Sequence, residues 1–173
     1  MPGSDPRCHP TIKELVSKVC EGKEETVIVE VGIGWGNIGR LIREIEANIR
    51  LIGFEIFQDY ITDEKGQVKI YDSLILGDGR ELIKEIHPVD IILLIDVLEH
   101  MTREDALEFL DNCYKKCGRI ILSLPCNKPY PQGVVFGNKY EEHLVQWTKQ
   151  EILDLGFELK YENPLMGTFE KIL

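Results

Sequence analysis

Apolar residues change their spacing several times along the chain, and each change marks a new element. Ile12, Leu15, Val16 and Val19 share one helical face, predicting a short helix over Thr11–Cys20. Thr26–Val31 is a β-rich run and predicts a strand, followed by a cluster of glycines. Ile38, Leu41, Ile42 and Ile45 return to helical spacing. Arg50–Ile56 and Lys69–Leu76 predict the second and third strands, the third closed by Gly77-Asp78-Gly79. A short helix over Arg80–Ile86 is stopped by Pro88. Val89–Ile95 is almost wholly apolar, as a central parallel strand covered on both faces should be. A helix follows from Thr102, its N-cap, to Lys116, with Ala106, Leu107, Leu110 and Cys113 as its inner stripe. Gly118 ends it, and Arg119–Leu124 is the fifth strand.

The rhythm breaks over residues 125–142, where Pro125, Pro129, Pro131, Gly133 and Gly137 rule out a long regular element. A loop of this length in a compact domain is expected to be functional or mobile. Order resumes at Thr148-x-x-Glu151, a capping box, with Trp147 and Ile152 placed for a hydrophobic staple. Phe157–Tyr161 and Thr168–Leu173 predict a closing hairpin at one sheet edge. The strand–helix alternation predicts an α/β fold with a doubly wound sheet, in one domain spanning 1–173.

Composition narrows the partners. Thirty acidic residues outnumber twenty Lys and Arg, for a net charge of −10. The bases are scattered, so no basic footprint for nucleic acid is expected. The longest apolar runs are too short to cross a bilayer, and MPGSDPRCHP lacks a signal-peptide pattern; a cytoplasmic location is expected. Five cysteines without a CxxC pair read as reduced, packed thiols, Cys113 and Cys117 lying one turn apart on the same helix. The His and Cys spacings match no zinc pattern, so no metal site is expected. The oligomeric state is not encoded in any of these signals.

The stretch VEVGIGWGNIGR satisfies two fingerprints. Gly34-x-Gly36-x-x-Gly39 with Glu55 nineteen residues after Gly36 matches the dinucleotide rule. Framed one step earlier, Glu30-x-Gly32-x-Gly34-x-Gly36 puts an acid beside the loop. Each like-charge pair between that acid and a pyrophosphate would cost about 3 kcal/mol at ~5 Å and an effective dielectric of ~20. A sulfonium or ammonium would be attracted instead. S-adenosylmethionine carries both, and its ribose diol suits Glu55.

The order of motifs resembles the class I S-adenosylmethionine-dependent methyltransferases, in particular the group around the ubiquinone/menaquinone-type enzymes. VEVGIGWG resembles their first motif, LIGFEIF and LGDGREL their acids after the second and third strands, DVLEHM the end of the fourth strand, and HLVQWTKQEILDLGFEL their late segment. The resemblance covers roughly residues 26–162 and implies a Rossmann-like, seven-stranded, mostly parallel sheet with an antiparallel edge strand and helices on both faces. It implies methyl transfer by in-line displacement to a small-molecule acceptor. Carried onto this chain, it places the cofactor on Glu30, Gly32, Gly34, Gly36, Glu55, Ile56, Asp78, Gly79, Asp96 and Val97. Glu30 would orient the amino-acid end, Glu55 the ribose hydroxyls and Asp78 the adenine amino group. Asp78 has an alternative as a helix cap. Asp96 and Val97 would line the point where the methyl emerges. His100 and His143 are the candidate general bases, and Tyr130 and Tyr140 could shape an acceptor pocket. Trp35 is bulkier than the usual occupant of the glycine loop. DVLEH differs from the Asn/Asp-Pro-Pro-Tyr of amino-group DNA methyltransferases, and Cys126 in LPCN lacks the cytosine-C5 context. Two other readings stay open: an NAD-dependent oxidoreductase, and a non-catalytic S-adenosylmethionine-binding or interaction module.

Overall fold

Ile91, Ile92, Leu93 and Leu94 are all sealed from solvent, because their strand has sheet neighbours on both edges and helices on both faces. The computed structural model describes residues 4–62 and 69–173. Its strands are β1 (Thr26–Val31), β2 (Ile49–Glu55), β3 (Ser73–Leu76), β4 (Val89–Ile95), β5 (Cys117–Pro125), β6 (Glu158–Glu162) and β7 (Met166–Ile172). They form one seven-stranded sheet in the order β3-β2-β1-β4-β5-β7-β6. β1 to β5 are parallel, and β7 runs antiparallel between β5 and β6. This is the Rossmann-like arrangement expected, with the closing hairpin at one edge.

The helices are α1 (His9–Cys20), α2 (Asn37–Arg43), α3 (Gly79–Glu85), α4 (Arg103–Tyr114) and α5 (Lys149–Asp154). Strand alternation sends odd and even side chains to opposite faces. On one face Ile28, Leu51, Ile91, Leu93 and Ile121 meet Ile12 and Val16 of α1 and Ile38 and Ile42 of α2. On the other, Val29, Phe54, Ile92, Leu94 and Leu122 meet Ile83 of α3, Phe109 of α4 and Ile152 of α5. The Thr148–Glu151 capping box is formed, both halves being present. Trp147 and Ile152 are buried in the same cluster.

Several boundaries differ from the sequence reading. The inner stripe of α4 is Ala106, Phe109, Leu110 and Cys113, while Leu107 is 40% exposed. Spacing alone left two registers possible, and the aromatic side chain took the core. Cys117 opens β5 instead of ending the helix, so the two cysteines do not share a helix. The third strand starts at Ser73, because Asp72 turns its carboxylate onto the Leu51 amide and Arg43, and Tyr71 is drawn into the core.

Tyr71 also explains a glycine. A Cβ on Gly39 would lie 2.6 Å from Tyr71 Cζ, and one on Gly53 would lie 2.9 Å from Tyr71 Cδ1. The third glycine of the dinucleotide pattern therefore makes room for a phenol ring between α2 and β2. Gly39→Ala should destabilise the fold by about 1–3 kcal/mol through overpacking, measurable by urea unfolding. A neutral result would mean the ring moves freely.

Candidate active site

The order of strands reverses between β1 and β4, and ligands of open α/β sheets bind outside the carboxyl ends at such a point. Here the chain leaves β1 as a loop with Gly32, Gly34 and Gly36 at φ of 70°, 51° and 74°. Side chains rarely adopt these angles, so glycine is required and the backbone is laid bare. Phe54 O accepts from Gly32 N and Ile33 N, fixing the loop to the end of β2. Glu55 completes the clamp: Oε2 accepts from Gly34 N (2.9 Å) and Oε1 from Phe57 N (2.8 Å). A cleft of about 630 Å³ opens above, lined by every position expected to hold the cofactor except Gly36. That volume is in the range of small-molecule sites.

Glu30 is 2% exposed on β1 and accepts from Tyr71 Oη at 2.8 Å. Burial pushes its carboxyl up to about 8; the Tyr71 bond opposes this and nearby Glu55 adds to it. Burial thus works against a fixed negative charge on Glu30, which weakens the simple repulsion argument from sequence. Burial also raises Glu55, against the pull of its backbone donors. Asp96 follows β4 at φ 54°, an uncommon angle for a non-glycine residue. Burial pushes its carboxyl up to about 7. Val97 is buried beside it. Asp78 caps α3 by accepting from Arg80 N, and both its oxygens also hold the Arg80 side chain. The capping alternative is thus realised, with the carboxylate still in the cleft wall.

Glu99 carries the cluster that the sequence did not single out. It is 1% exposed, and neither carboxylate oxygen has a hydrogen-bond partner. Ligand atoms of Glu99, His100 and His143 all lie within 4.8 Å of one another. His100 Nδ1 is 3.1 Å from Glu142 O, and His143 Nδ1 is 2.7 Å from Tyr130 O. A carbonyl only accepts, so each Nδ1 carries the proton and each Nε2 keeps a lone pair. Burial lowers both imidazoles, keeping them neutral. Neutral imidazoles tied back through the second nitrogen, beside a buried carboxyl without a hydrogen-bond partner, are a donor set suited to a divalent ion such as Zn²⁺ or Fe²⁺. The sequence hid it because His143 is forty-three residues from His100 and no zinc spacing applies.

The segment after β5 brings His143 there. Leu144 N and Val145 N both donate to Glu99 O. Tyr130 and Tyr140 line the cleft. Val135 and Asn138 pair across a tight turn whose tip, Phe136, is 66% exposed at φ 51°. Its ring lies 5.8 Å from that of Trp35, which in turn meets Tyr60 at 6.4 Å. No helix of the described residues is long and apolar enough to cross a membrane.

No family model matches the chain. It is 30% identical over 101 residues to pluviatolide O-methyltransferase of Sinopodophyllum hexandrum, covering 57% of this chain but 26% of that protein. The chain thus spans about a quarter of that relative. Among solved structures, the small RNA methyltransferase HEN1 superposes with a TM-score of 0.68 at 15% identity, over 99% of this chain and 26% of that one. Magnesium protoporphyrin IX methyltransferase from Synechocystis PCC 6803, with S-adenosylhomocysteine bound, gives 0.65 at 16% identity over 95% and 83%. An RNA methyltransferase among the fold neighbours leaves the expectation against nucleic acid without support from fold. The chain has the Rossmann-like fold of the class I methyltransferases.

Proposed function

We propose that the protein transfers a methyl group from S-adenosylmethionine to a hydroxyl of a small-molecule acceptor. One observation carries the cofactor reading: Glu30, Glu55 and Asp96 surround a bare glycine loop. Carboxyls with raised pKa values ionise when a cation arrives and stay protonated when an anion does, so the site favours a sulfonium donor over a pyrophosphate. The helix behind the loop, α2, has only seven residues, which gives a pyrophosphate little dipole to rest on. Gly39, the residue that favoured a dinucleotide, is spent on Tyr71. Glu55 keeps acceptor capacity after its backbone bonds, which suits the donors of a ribose diol. Ile56 and Gly79 lie in the same wall, where the nucleoside would rest.

Acceptor chemistry rests on the O-methyltransferase similarity and on the acidic cleft, whose lining sets nine acidic side chains against Arg80 and Lys139. Such a lining disfavours a polyanion. S-adenosylmethionine, when bound, supplies an already activated methyl, so the chain's task is alignment and exclusion of water, worth about 7–11 kcal/mol when complete. Glu99, His100 and His143 would hold a divalent ion, whose Lewis acidity would ease loss of the acceptor's hydroxyl proton. In this reading the two histidines act as neutral donors and not as free bases.

Calorimetric titration with S-adenosylhomocysteine and, in parallel, NADH tests the proposal. Binding of the first alone is expected, and Glu55→Ala should weaken it by about 1.5–3 kcal/mol, the range for a charge-assisted hydrogen bond. Binding of NADH alone overturns the proposal.

A further inference from the structure

A finger of the chain joins two walls of the cleft at its mouth. The finger, residues 132–143, is tied at its base: His143 N donates to Gln132 O at 2.9 Å, and Gln132 Nε2 to Glu141 O at 2.8 Å. Asn138–His143 of the finger line the cleft on one side, while Trp35 of the glycine loop and Tyr60 after β2 line the wall it reaches. The tip touches that wall twice. The Phe136 ring lies 5.8 Å from that of Trp35, and Asn138, buried at 2% exposure, interacts with the Tyr60 phenol. Phe136 sits with Trp35, Phe57, Asp59 and Tyr60 around a shallow outer depression of about 220 Å³ and does not line the cleft. Trp35 lines both, so it forms the partition between them.

The turn at the tip runs against the preference of its residues. Phe136 and Gly137 have φ of 51° and 76° between the paired Val135 and Asn138. Positive φ at both central positions is the pattern of a type I′ turn, which favours Asn-Gly. Glycine suits the second position. A phenylalanine at the first is strained, and at 66% exposure it gains little from burial. What the ring does gain is the contact with Trp35. We infer that this contact is a latch, and that the finger is a gate which must release Trp35 for the adenosyl ligand to enter or leave the cleft. The ligand is that of the proposed function, on which the inference rests. Gly133 lies just past the Gln132 tie, with nothing within 4 Å of where a Cβ would stand, and supplies the hinge. The closed position is held lightly. A ring pair of this kind shifts a local equilibrium by a factor of about 2–12, so the gate opens without disturbing the fold behind it.

The test compares the full chain with Phe136→Asn, which removes the ring and suits the turn, and with Phe136→Tyr, which keeps the ring. The chain has two tryptophans and Trp147 is sealed in the core, so acrylamide quenching of the ligand-free protein reads Trp35. Quenching should rise in Phe136→Asn and match wild type in Phe136→Tyr, with Phe136→Asn at least as stable to urea. Stopped-flow binding of S-adenosylhomocysteine should show association and dissociation rate constants both about 2–12-fold higher in Phe136→Asn. Affinity should change less than either rate, because Phe136 does not line the cleft. Phe136→Tyr should return both rates to wild type. Unchanged quenching in Phe136→Asn would show that there is no latch. Raised quenching with unchanged rates would show that the ring shields Trp35 without gating the cleft. A change in one rate alone would make Phe136 a binding residue. Each of these overturns the inference and leaves the cofactor in place. If wild type binds no S-adenosylhomocysteine by calorimetry, the proposed cofactor falls and the gate falls with it.

Discussion

Trp147→Ala is expected to lower the unfolding free energy by about 3–5 kcal/mol, the cost of removing a large buried aromatic. Domains of this kind are stable by about 5–15 kcal/mol in total, so roughly a fifth or more would be lost. Trp147 is 1% exposed and packs in the cluster shared by α4, α5 and β5. The Arg103 guanidinium stacks 4.5 Å from its ring centroid, and its indole Nε1 has no acceptor. Its contribution is therefore burial and packing, not a polar bond, and Trp147→Phe should cost well under half as much. Position magnifies the effect. Trp147 precedes the Thr148 cap of α5. Gln146, beside it, ties Pro125 O to the Tyr130 amide. These contacts moor both ends of the segment that delivers His143. Urea unfolding should show the loss, and the alanine variant should also bind the acceptor side of the cleft poorly. A loss below ~1 kcal/mol would mean that the surrounding chain collapses into the space.

The legibility of each part follows from the range of the forces that make it. β1, β4 and the capping box at Thr148 were readable because their signals are local: a β-branched run, an apolar run, and a side chain reaching three residues along. The glycine loop was readable because positive φ demands glycine at the positions themselves. The places of Glu55 and Asp96 at strand ends in the cleft wall were readable because both follow apolar strand runs. Other features depend on contacts far apart in the chain. Leu107 and Phe109 exchanged roles because the choice of register is made by what packs opposite. Tyr71 could not be foreseen as the partner of Glu30, forty-one residues away, and without it Gly39 looked like a cofactor residue. The state of Glu30 was also out of reach, since burial is a tertiary quantity and works against the charge that composition assigns. Glu99 lay unnoticed inside a motif already quoted, because a glutamate in DVLEHM gives no hint that both its oxygens will be buried without partners.

Glu99→Gln is the substitution expected to separate binding from turnover. A buried carboxyl with two orphaned oxygens is costly to the fold, burial and nearby Asp96 both driving it toward its neutral form, and the isosteric amide carries no charge at all. The variant should therefore be at least as stable as wild type. S-adenosylhomocysteine affinity should be unchanged, since Glu55 and the glycine loop hold that ligand in the proposed arrangement. Methyl transfer should fall by about 10²-fold or more, in line with loss of a preorganised charged group at a reacting oxygen. The divalent ion gives a second readout. Zn²⁺ should raise the melting temperature of wild type in proportion to ln(1 + [Zn²⁺]/Kd), and the shift should vanish in Glu99→Gln and in His143→Ala. His143→Ala also loses the contact to Tyr130 O, so Glu99→Gln is the cleaner variant. Full activity with an unaltered response to the ion in Glu99→Gln would remove Glu99 from the chemistry. The buried carboxyl would then be left as a packing element that holds Leu144 and Val145 through its backbone carbonyl alone. Loss of turnover together with loss of S-adenosylhomocysteine binding would place Glu99 in the cofactor wall, and the acceptor would have to approach from the side of Tyr130 and Tyr140 without an ion between them.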